Sequence, residues 1–237
     1  MVFGAIFAGG IGSRMGSADM PKQYLQLGSK PIIAHTIEKF VVNPGIDHII
    51  VLCPKAWIAH TKDIIKKYIG DRAEVDVVEG GSTRNGTLEN ALKFIEENYG
   101  VDDDSIIVTH DAVRPFVTHR IICENIEAAK KYGACDTVIP ATDTIVDSAD
   151  GETVRSIPPR HELYQGQTPQ SFRIKELSAV LDSLTDDEKE ILTDACKIFT
   201  IKNKPVRIVE GEVFNIKITY AYDLKVANAL LGVQKDD

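Results

Sequence analysis

The feature that most constrains the fold of this chain is an alternation of short apolar runs with segments of helical length. Runs that fit buried strands lie at residues 3–8, 48–52, 75–78, 106–109 and 137–141. Between them, apolar residues recur at helical spacing, as in Ile33, Ile37 and Phe40. Strands that alternate with helices predict βαβ units, and near-continuous apolar strands predict a sheet covered on both faces. We therefore predict an α/β fold with a mostly parallel, Rossmann-like sheet.

The pattern changes after residue 141. Residues 142–164 carry short β-like pieces, an Asp150-Gly151 turn and Pro158-Pro159, which predicts a β-arm at about residues 142–165 that leaves the core. Such an arm usually packs on a partner, so we expect a homodimer. Further along, we predict a helix over residues 174–192, strands at 206–209 and 214–219, and a helix over 221–231. The 237 residues contain no linker or repeat, so we expect a single domain over residues 1–237.

Composition and charge exclude several classes of protein. With 27 Lys and Arg against 35 Asp and Glu, the net charge is −8, whereas nucleic-acid and anionic-membrane binders need a basic footprint. No apolar run approaches the length of a membrane helix, and no basic segment precedes the first apolar run. The four cysteines are widely spread without a C-x-x-C pair, which fits a reducing compartment. We therefore expect a cytoplasmic protein with neither a nucleic-acid nor a membrane partner.

A glycine-rich loop follows the first predicted strand, and its glycines would let backbone N–H groups approach a phosphate. Its glycine spacing differs from the dinucleotide-binding pattern, and the chain has no G-x-x-x-x-G-K-[ST] motif. Its distinguishing residues are Arg14 and Lys22, two cations that could clamp a triphosphate. The alternative is a flexible surface loop with solvated cations.

A second cluster stands at the end of the predicted strand 106–109, where open α/β sheets bind ligands. Asp111 is placed there to hold a metal ion or a ribose hydroxyl, and Arg114 to pair with a phosphate. The alternative is a structural Asp–Arg pair that fixes the loop before Pro115.

Small residues fill the loop between a strand and a helix at residues 79–87. Gly81 with the hydroxyls of Ser82 and Thr87 leaves room to read the polar edge of a pyrimidine, although capping of the helix by Ser82 or Thr83 would also explain these residue types. Lys217 alternates with Ile216 and Ile218, so its ammonium should project from the opposite face, either into solvent or toward a ligand.

In their order along the chain, these segments resemble the CDP-alcohol-forming cytidylyltransferase family from about residue 2 to residue 231. The resemblance implies a three-layer nucleotidyltransferase fold and a reaction of CTP with a polyol phosphate. Two branches are best known, acting on ribitol 5-phosphate in teichoic-acid synthesis and on 2-C-methyl-D-erythritol 4-phosphate in isoprenoid synthesis.

Carried over residue by residue, the resemblance implies roles for most of the residues above. The implied catalytic residues are Arg14, Lys22 and Lys217. Residues implied to hold CTP are Ala8, Gly9, Gly10, Gly12, Gly81, Ser82, Arg84, Thr87, Asp111 and Ala112, with Asp111 on the metal side. Residues implied to meet the polyol phosphate are Arg114, Thr168, Thr193, Lys217 and, from the arm of a neighbouring subunit, Arg160.

Two departures favour the ribitol branch. Isoprenoid enzymes typically have a loop between the arginine and the lysine that is one residue shorter. They also read W-H-A-x-T-P-Q and T-D-[DE]-A-S where this chain has Y-Q-G-Q-T-P-Q at residues 164–170 and T-D-A-C-K at 193–197. We therefore predict transfer of the cytidylyl group to D-ribitol 5-phosphate. The alternatives are the methylerythritol-phosphate reaction and a catalytically silent nucleotide-binding module.

The expected chemistry is in-line attack by a phosphate oxygen of the acceptor on the α-phosphorus of CTP, which expels pyrophosphate. A phosphomonoester has a second pKa near 6, so the nucleophile is already ionised at neutral pH and no general base is required. The task is to neutralise charge, by Arg14, Lys22 and Lys217 together with one Mg²⁺.

Overall fold

The computed structural model of this protein describes residues 1–10, 20–70, 74–190, 192 and 194–233. Three residues of the predicted site, Gly12, Arg14 and Thr193, lie outside the described residues. Their predicted roles therefore stay predictions.

The described strands and helices alternate along the first two thirds of the chain. The strands are β1 (Val2–Phe7), β2 (Gln26–Leu27), β3 (Lys30–Pro31), β4 (His48–Cys53), β5 (Val75–Glu79), β6 (Ile106–Asp111), β7 (Ala134–Pro140), β8 (Tyr164–Arg173) and β9 (Arg207–Glu210). The helices are α1 (Ile32–Val41), α2 (Ile58–Tyr68), α3 (Arg84–Tyr99), α4 (His119–Tyr132), α5 (Ile174–Asp182), α6 (Asp186–Glu190), α7 (Ala195–Ile201) and α8 (Ala221–Val233).

Seven of the described strands form one sheet in the order β5-β4-β1-β6-β8-β7-β9. The pairs β4–β5, β1–β4, β1–β6 and β7–β9 are parallel, whereas β8 is antiparallel to both β6 and β7. The prediction of a mostly parallel sheet is therefore confirmed. Since β1, β5 and β6 are parallel, the loops at their carboxyl ends meet at one edge of the sheet.

Helices cover both faces of the sheet, which gives the three layers that the resemblance implied. On one face, apolar side chains of α1, α2 and α4 pack against the strands, including Ile37, Ile64 and Ile122. On the other face, α3, α5 and α7 contribute residues such as Leu88 and Leu177. Helix α8 closes a third, smaller cluster over β2 and the segment that follows β6. Burial of this apolar surface supplies the main driving force for the fold.

The predicted strands at 3–8, 48–52, 75–78 and 106–109 are confirmed, with ends displaced by one or two residues. The strand predicted at 137–141 begins earlier, at Ala134, and that at 206–209 is shifted to Arg207–Glu210. The prediction of one helix over 174–192 is wrong, since α5 ends at Asp182 and the short α6 begins at Asp186. The predicted strand at 214–219 is also wrong, because this segment lies outside the sheet and its backbone meets the core through a hydrogen bond from Ile218 N to Val113 O.

The predicted arm leaves the core between β7 and β8. A hydrogen bond from Ala141 N to Leu163 O closes its base, and the Asp150-Gly151 turn forms as predicted, with Gly151 at φ +75°. Inside the arm, however, the described strand pairing is a single bridge between Asp147 and Ser156. The arm is therefore mostly irregular, and its predicted last residues, 164 and 165, belong to β8.

All four cysteines are free, and three of them are buried. Among the described residues, no helix combines the length and the apolar character needed to cross a bilayer.

Candidate active site

A cavity of about 370 Å³ opens at the edge of the sheet where β1, β5 and β6 end. It is lined by Phe7, Ala8, Gly9, Gly10, Lys22, Gln23, Gly81, Ser82, Thr83, Arg84, Thr87, Asp111, Ala112, Val113 and Lys217. The fold thus brings together the residues that the sequence predicted for the base, the ribose and two of the cations. Arg114, Arg160 and Thr168 do not line this cavity.

Asp111 is the electrostatic centre of the cavity. Its buried carboxylate forms ion pairs with Arg84 Nη1 on Oδ1 and with Lys217 Nζ on Oδ2, the latter at 2.9 Å, while Arg114 Nε lies 3.7 Å from Oδ2. Burial alone would raise the pKa of Asp111, but the charges of Arg84, Lys217 and Arg114 outweigh it and hold the pKa well below its usual range. Asp111 is therefore ionised and holds three cations together.

Arg84 is placed by the start of α3. Thr83 caps this helix by accepting a hydrogen bond from Gly86 N at 3.0 Å, so the predicted cap falls on Thr83 and not on Ser82. The guanidinium then lies over the Phe7 ring, 5.3 Å from its centroid. This contact and the ion pair with Asp111 hold Arg84 against the cavity wall.

The loop before α3 is closed so tightly that one position requires glycine. A Cβ on Gly81 would lie 2.3 Å from the carbonyl carbon of Gly86. The Thr87 hydroxyl accepts from Gly81 N at 3.1 Å and donates to Thr83 O at 2.8 Å. Thr87 thus shapes the loop through its hydroxyl, while Gly81 and Ser82 line the cavity. The predicted reading of a pyrimidine edge by these residues stays a prediction.

Lys22 and Gln23 enter the cavity on a short 3-10 turn that spans Lys22–Tyr24. Gln23 is 1% exposed and donates from Nε2 to Ala8 O, at the end of β1. Sequence reasoning missed Gln23, because a single glutamine after a lysine carries no motif. Its bond ties the turn to β1 and so places Lys22, itself 9% exposed, at the cavity.

Arg114 faces away from the cavity, into the loop network around it. Its Nη1 donates to Asn215 O at 2.8 Å and its Nη2 to Gly166 O at 3.5 Å. These contacts fit the structural alternative, in which Asp111 and Arg114 fix the turn, better than a direct phosphate contact.

Thr168 is buried behind the same turn. Its hydroxyl accepts from Asp111 N at 3.2 Å and donates to His110 Nδ1 at 2.8 Å, while His110 Nε2 donates to Arg114 O at 3.0 Å. Burial lowers the pKa of His110 to about 4, so the ring is neutral, as this pattern requires. The predicted contact of Thr168 with the acceptor phosphate stays a prediction, whereas its contact with the backbone of Asp111 is observed.

Lys217 projects as its alternation predicted, although its segment is not a strand. Ile218 is fully buried in the cluster under α8, while the Lys217 side chain, 43% exposed, points to Asp111. Arg160, in contrast, lies exposed on the arm and donates from Nη1 to Thr142 O at 3.1 Å. Its predicted role in a neighbouring subunit stays a prediction.

The groups around Asp111 limit how the protein could bind Mg²⁺. Each carboxylate oxygen already faces a cation, so Asp111 cannot form a metal site by itself. Mg²⁺ is commonly held by one or two carboxylates together with substrate phosphates and water. The residues therefore fit an ion that arrives with a triphosphate.

A second group of side chains that could ligate a metal lies between β7 and the start of α7. Ligand atoms of Asp136, Asp194 and Cys196 lie within 4.8 Å of one another, but Gln170 Nε2 donates to both carboxylates, at 2.8–2.9 Å. Burial raises the pKa of Asp136 to about 7. Because Mg²⁺ prefers oxygen ligands and this group contains a thiol and an amide donor, we interpret it as a hydrogen-bonded cluster.

Known proteins match almost the whole chain. The sequence profile of the family described as IspD, 2-C-methyl-D-erythritol 4-phosphate cytidylyltransferase, matches residues 2–233. The solved 4-diphosphocytidyl-2C-methyl-D-erythritol synthase of Anaerococcus prevotii DSM 20548 is 30% identical, with 98% of this chain and 96% of that chain covered and a TM-score of 0.79.

Two further solved structures agree. The 2-C-methyl-D-erythritol 4-phosphate cytidylyltransferase of Francisella tularensis is 29% identical, with 96% of this chain and 98% of that chain covered and a TM-score of 0.79. That of Thermus thermophilus is 25% identical, with 97% of this chain and 98% of that chain covered and a TM-score of 0.71. The similarity therefore extends over nearly the whole length of this chain.

Proposed function

This chain belongs to the 2-C-methyl-D-erythritol 4-phosphate cytidylyltransferase family, and we propose that it transfers the cytidylyl group of CTP to 2-C-methyl-D-erythritol 4-phosphate. Members of the family are CTP-dependent cytidylyltransferases, so the chain is a nucleotidyltransferase that acts on a polyol phosphate. The observation that carries the proposal is the cavity itself, in which Arg84 and Lys217 pair with one buried carboxylate and Lys22 lines the wall beside a glycine loop.

The charges of the cavity suit a reaction between two polyanions. The Gly81 loop would admit the flat cytosine, and Lys22, which lines the same cavity, would bind the triphosphate. Lys217 would approach the α-phosphate and the acceptor phosphate, because it lines the cavity and its side chain is partly exposed. These cations stabilise charge that develops on the α-phosphate and on pyrophosphate, which is the main demand of phosphoryl-type transfer. We propose the same role for Arg14.

The acceptor needs no general base. Its phosphomonoester is mostly a dianion at pH 7, since its second pKa is near 6. The histidine of the turn, His110, is buried and has both ring nitrogens hydrogen-bonded. Attack of the acceptor oxygen on the α-phosphorus forms the new P–O bond, and the bond to pyrophosphate breaks on the opposite side.

We also propose Mg²⁺ as the metal, held by Asp111 and by the phosphates of CTP. When bound, the ion would neutralise part of the triphosphate charge. The contribution of the protein is to keep Asp111 ionised at the end of β6, with Thr168 fixing its backbone.

A second acceptor, D-ribitol 5-phosphate, is favoured by one specific observation. The sequences of segments 164–170 and 193–197 resemble those of the ribitol branch. The first segment forms the beginning of β8, and its Thr168 contacts the backbone of Asp111 in the cavity. The family match and the solved relatives support methylerythritol phosphate better. The two acceptors differ in their carbon chains and share the phosphate chemistry, so the catalytic residues above serve either reaction.

The test is pyrophosphate release from CTP and Mg²⁺, run in parallel with both acceptors at matched concentrations. We expect release with 2-C-methyl-D-erythritol 4-phosphate, and release about a hundred- to a thousandfold slower in the Lys217→Ala variant. A strong preference for ribitol 5-phosphate would overturn the choice of acceptor but not the reaction, and would connect the protein to teichoic-acid synthesis. Binding of CTP without release with either acceptor would support a silent nucleotide-binding module.

We further propose that the arm, as part of the single domain, packs on a second copy of the chain. The arm exposes the apolar side chains of Val146, Val154 and Ile157 at 52%, 59% and 61%. Apolar side chains at protein–protein interfaces are exposed in this way when the partner is absent. A homodimer would cover them and bring Arg160 near the partner. Sedimentation of the wild type and of a Val154→Asp, Ile157→Asp double variant tests this, because a monomer in both would contradict the proposal.

A further inference from the structure

We infer that Gln167 and Asn215, two buried amides outside the cavity, are positioning residues for Lys217. The inference rests on the proposed function, in which Lys217 is the cation nearest the acceptor. Neither amide lines the cavity, so both act through the backbone that carries Lys217.

The segment of Lys217 needs such support because the sheet does not hold it. Residues 211–219 follow β9 without strand pairing. The Lys217 side chain is long and 43% exposed, and its ammonium meets Asp111 only if the backbone is held at a fixed distance from β6. A long side chain on a loosely held segment would lose this geometry through conformational entropy.

Gln167 holds the beginning of the segment by hydrogen bonds from both polar atoms of its side-chain amide. Its Nε2 donates to Glu212 O at 2.8 Å, and its Oε1 accepts from Glu212 N at 3.4 Å and from Asn215 Nδ2 at 3.1 Å. Gln167 is 6% exposed and lies on β8, so its hydrogen bonds tie the segment to the central sheet.

Asn215 completes the attachment two residues before Lys217. Fully buried, it donates from Nδ2 to Thr168 O at 2.9 Å, and its own carbonyl accepts from Arg114 Nη1 at 2.8 Å. Arg114 in turn lies beside Asp111. The same network therefore holds both partners of the Asp111–Lys217 pair.

Gly211 supports this interpretation independently. A Cβ at this position would lie 2.4 Å from Gln167 Oε1 and 3.1 Å from Thr137 Cγ2. Because Oε1 accepts two hydrogen bonds, it cannot move aside without breaking its bonds to Glu212 N and Asn215 Nδ2. The chain thus has the small residue that close approach of the Gln167 amide requires.

The first experiment measures hydrogen exchange and needs no activity. The variant Gln167→Met keeps the length of the side chain and removes its hydrogen bonds, and Gln26→Met, at an exposed position of β2, is the matched control. We expect faster exchange confined to residues 211–218 in Gln167→Met and no change in the control. Unchanged exchange in this segment would overturn the inference. If Gln167→Met does not fold, the exchange experiment uses Gln167→Asn, which keeps the amide but shortens its reach to Glu212 and Asn215 by one methylene group.

The second experiment separates positioning from general stability with a double-mutant cycle on Lys217→Ala. Gln167→Met should lower kcat at least about tenfold while the KM for CTP changes less than about twofold. In the Lys217→Ala background it should change kcat less than about twofold, because the residue it positions is absent. Equal effects in both backgrounds would contradict positioning. Absence of turnover in the wild type would refute the proposed function, whereas the exchange result would still decide whether Gln167 holds the segment.

Discussion

Asp111 at the end of β6 and Lys217 in the segment after β9 form an ion pair, with Nζ 2.9 Å from Oδ2. The carboxylate side chain is 8% exposed and the lysine side chain 43% exposed, so the pair has one fixed partner and one that faces the cavity. Asp111 thus orients the Lys217 ammonium, while the lysine side chain stays partly exposed in the wall of the cavity. This relationship links the fold to the proposed chemistry.

Replacing Lys217 by Ala should lower kcat about a hundred- to a thousandfold, the effect of removing one transition-state contact worth about 2.7–4 kcal/mol. The fold should persist, because the side chain is partly exposed and the neighbouring Ile218 anchors the segment. Steady-state pyrophosphate release measures the change, with Lys225→Ala on the exposed face of α8 as the control. Wild-type turnover in a folded Lys217→Ala protein would remove Lys217 from the mechanism.

Asp111→Ala should destabilise the fold by about 3–5 kcal/mol, because it leaves the half-buried Arg84 and the buried Arg114 without their carboxylate. Urea unfolding at pH 7 measures the loss. Asp103→Ala, which breaks the exposed pair with Lys175, should cost no more than about 1 kcal/mol. Equal costs at the two positions would show that the Asp111 cluster is not the buried network described above.

His110 should make the protein acid-sensitive. Burial lowers its pKa from 6.5 to about 4, so folding favours the neutral ring; this stabilisation is complete above pH 6.5 and is lost as pH falls toward 4. The loss amounts to about 3 kcal/mol. Asp136 works in the opposite direction, since its raised pKa costs stability as pH rises toward 7.

The contribution of His110 is therefore measured as a difference. Urea unfolding of the wild type and of His110→Asn between pH 4 and pH 7.5 should give curves that converge as the pH falls. His161→Asn, on the exposed arm, should run parallel to the wild type. A constant gap between wild type and His110→Asn would show that the ring is not held neutral.

Magnesium should bind together with the nucleotide and not before it. Because Arg84 and Lys217 occupy both oxygens of Asp111, Mg²⁺ alone should not raise the melting temperature. CTP with Mg²⁺ should raise it more than CTP with a chelator, since ligands that bind the folded state stabilise it by mass action. A shift with Mg²⁺ alone would indicate a preformed metal site and contradict the donor set at Asp111.

Sequence patterns predicted the parallel part of the sheet well, since buried parallel strands are apolar throughout. Strand β8 escaped prediction because Gly166 and Pro169 interrupt it and polar glutamines fill it; it forms because it lies between β6 and β7. The alternation of Ile216, Lys217 and Ile218 correctly predicted the side to which the lysine projects. It wrongly predicted a strand, because side-chain amides hold this segment in place of strand pairing.

Site residues were predicted where the local sequence of a loop reflects its geometry. They were missed where their position depends on contacts between distant segments. The Gly81 loop needs small residues for local steric reasons, so its sequence shows it. Gln23 donates to Ala8 O, and Arg114 faces away from the cavity toward Asn215. Both contacts depend on packing between distant segments. No local pattern records such contacts.

³¹P NMR of CTP, Mg²⁺ and each acceptor during turnover follows every phosphorus atom of the proposed reaction. Cytidylyl transfer predicts that the triphosphate signals are replaced by pyrophosphate and by two coupled diphosphate phosphorus signals, one from CTP and one from the acceptor, and that Lys217→Ala slows both. Appearance of CMP or CDP with an unchanged acceptor phosphate, or no change with either acceptor, would contradict it.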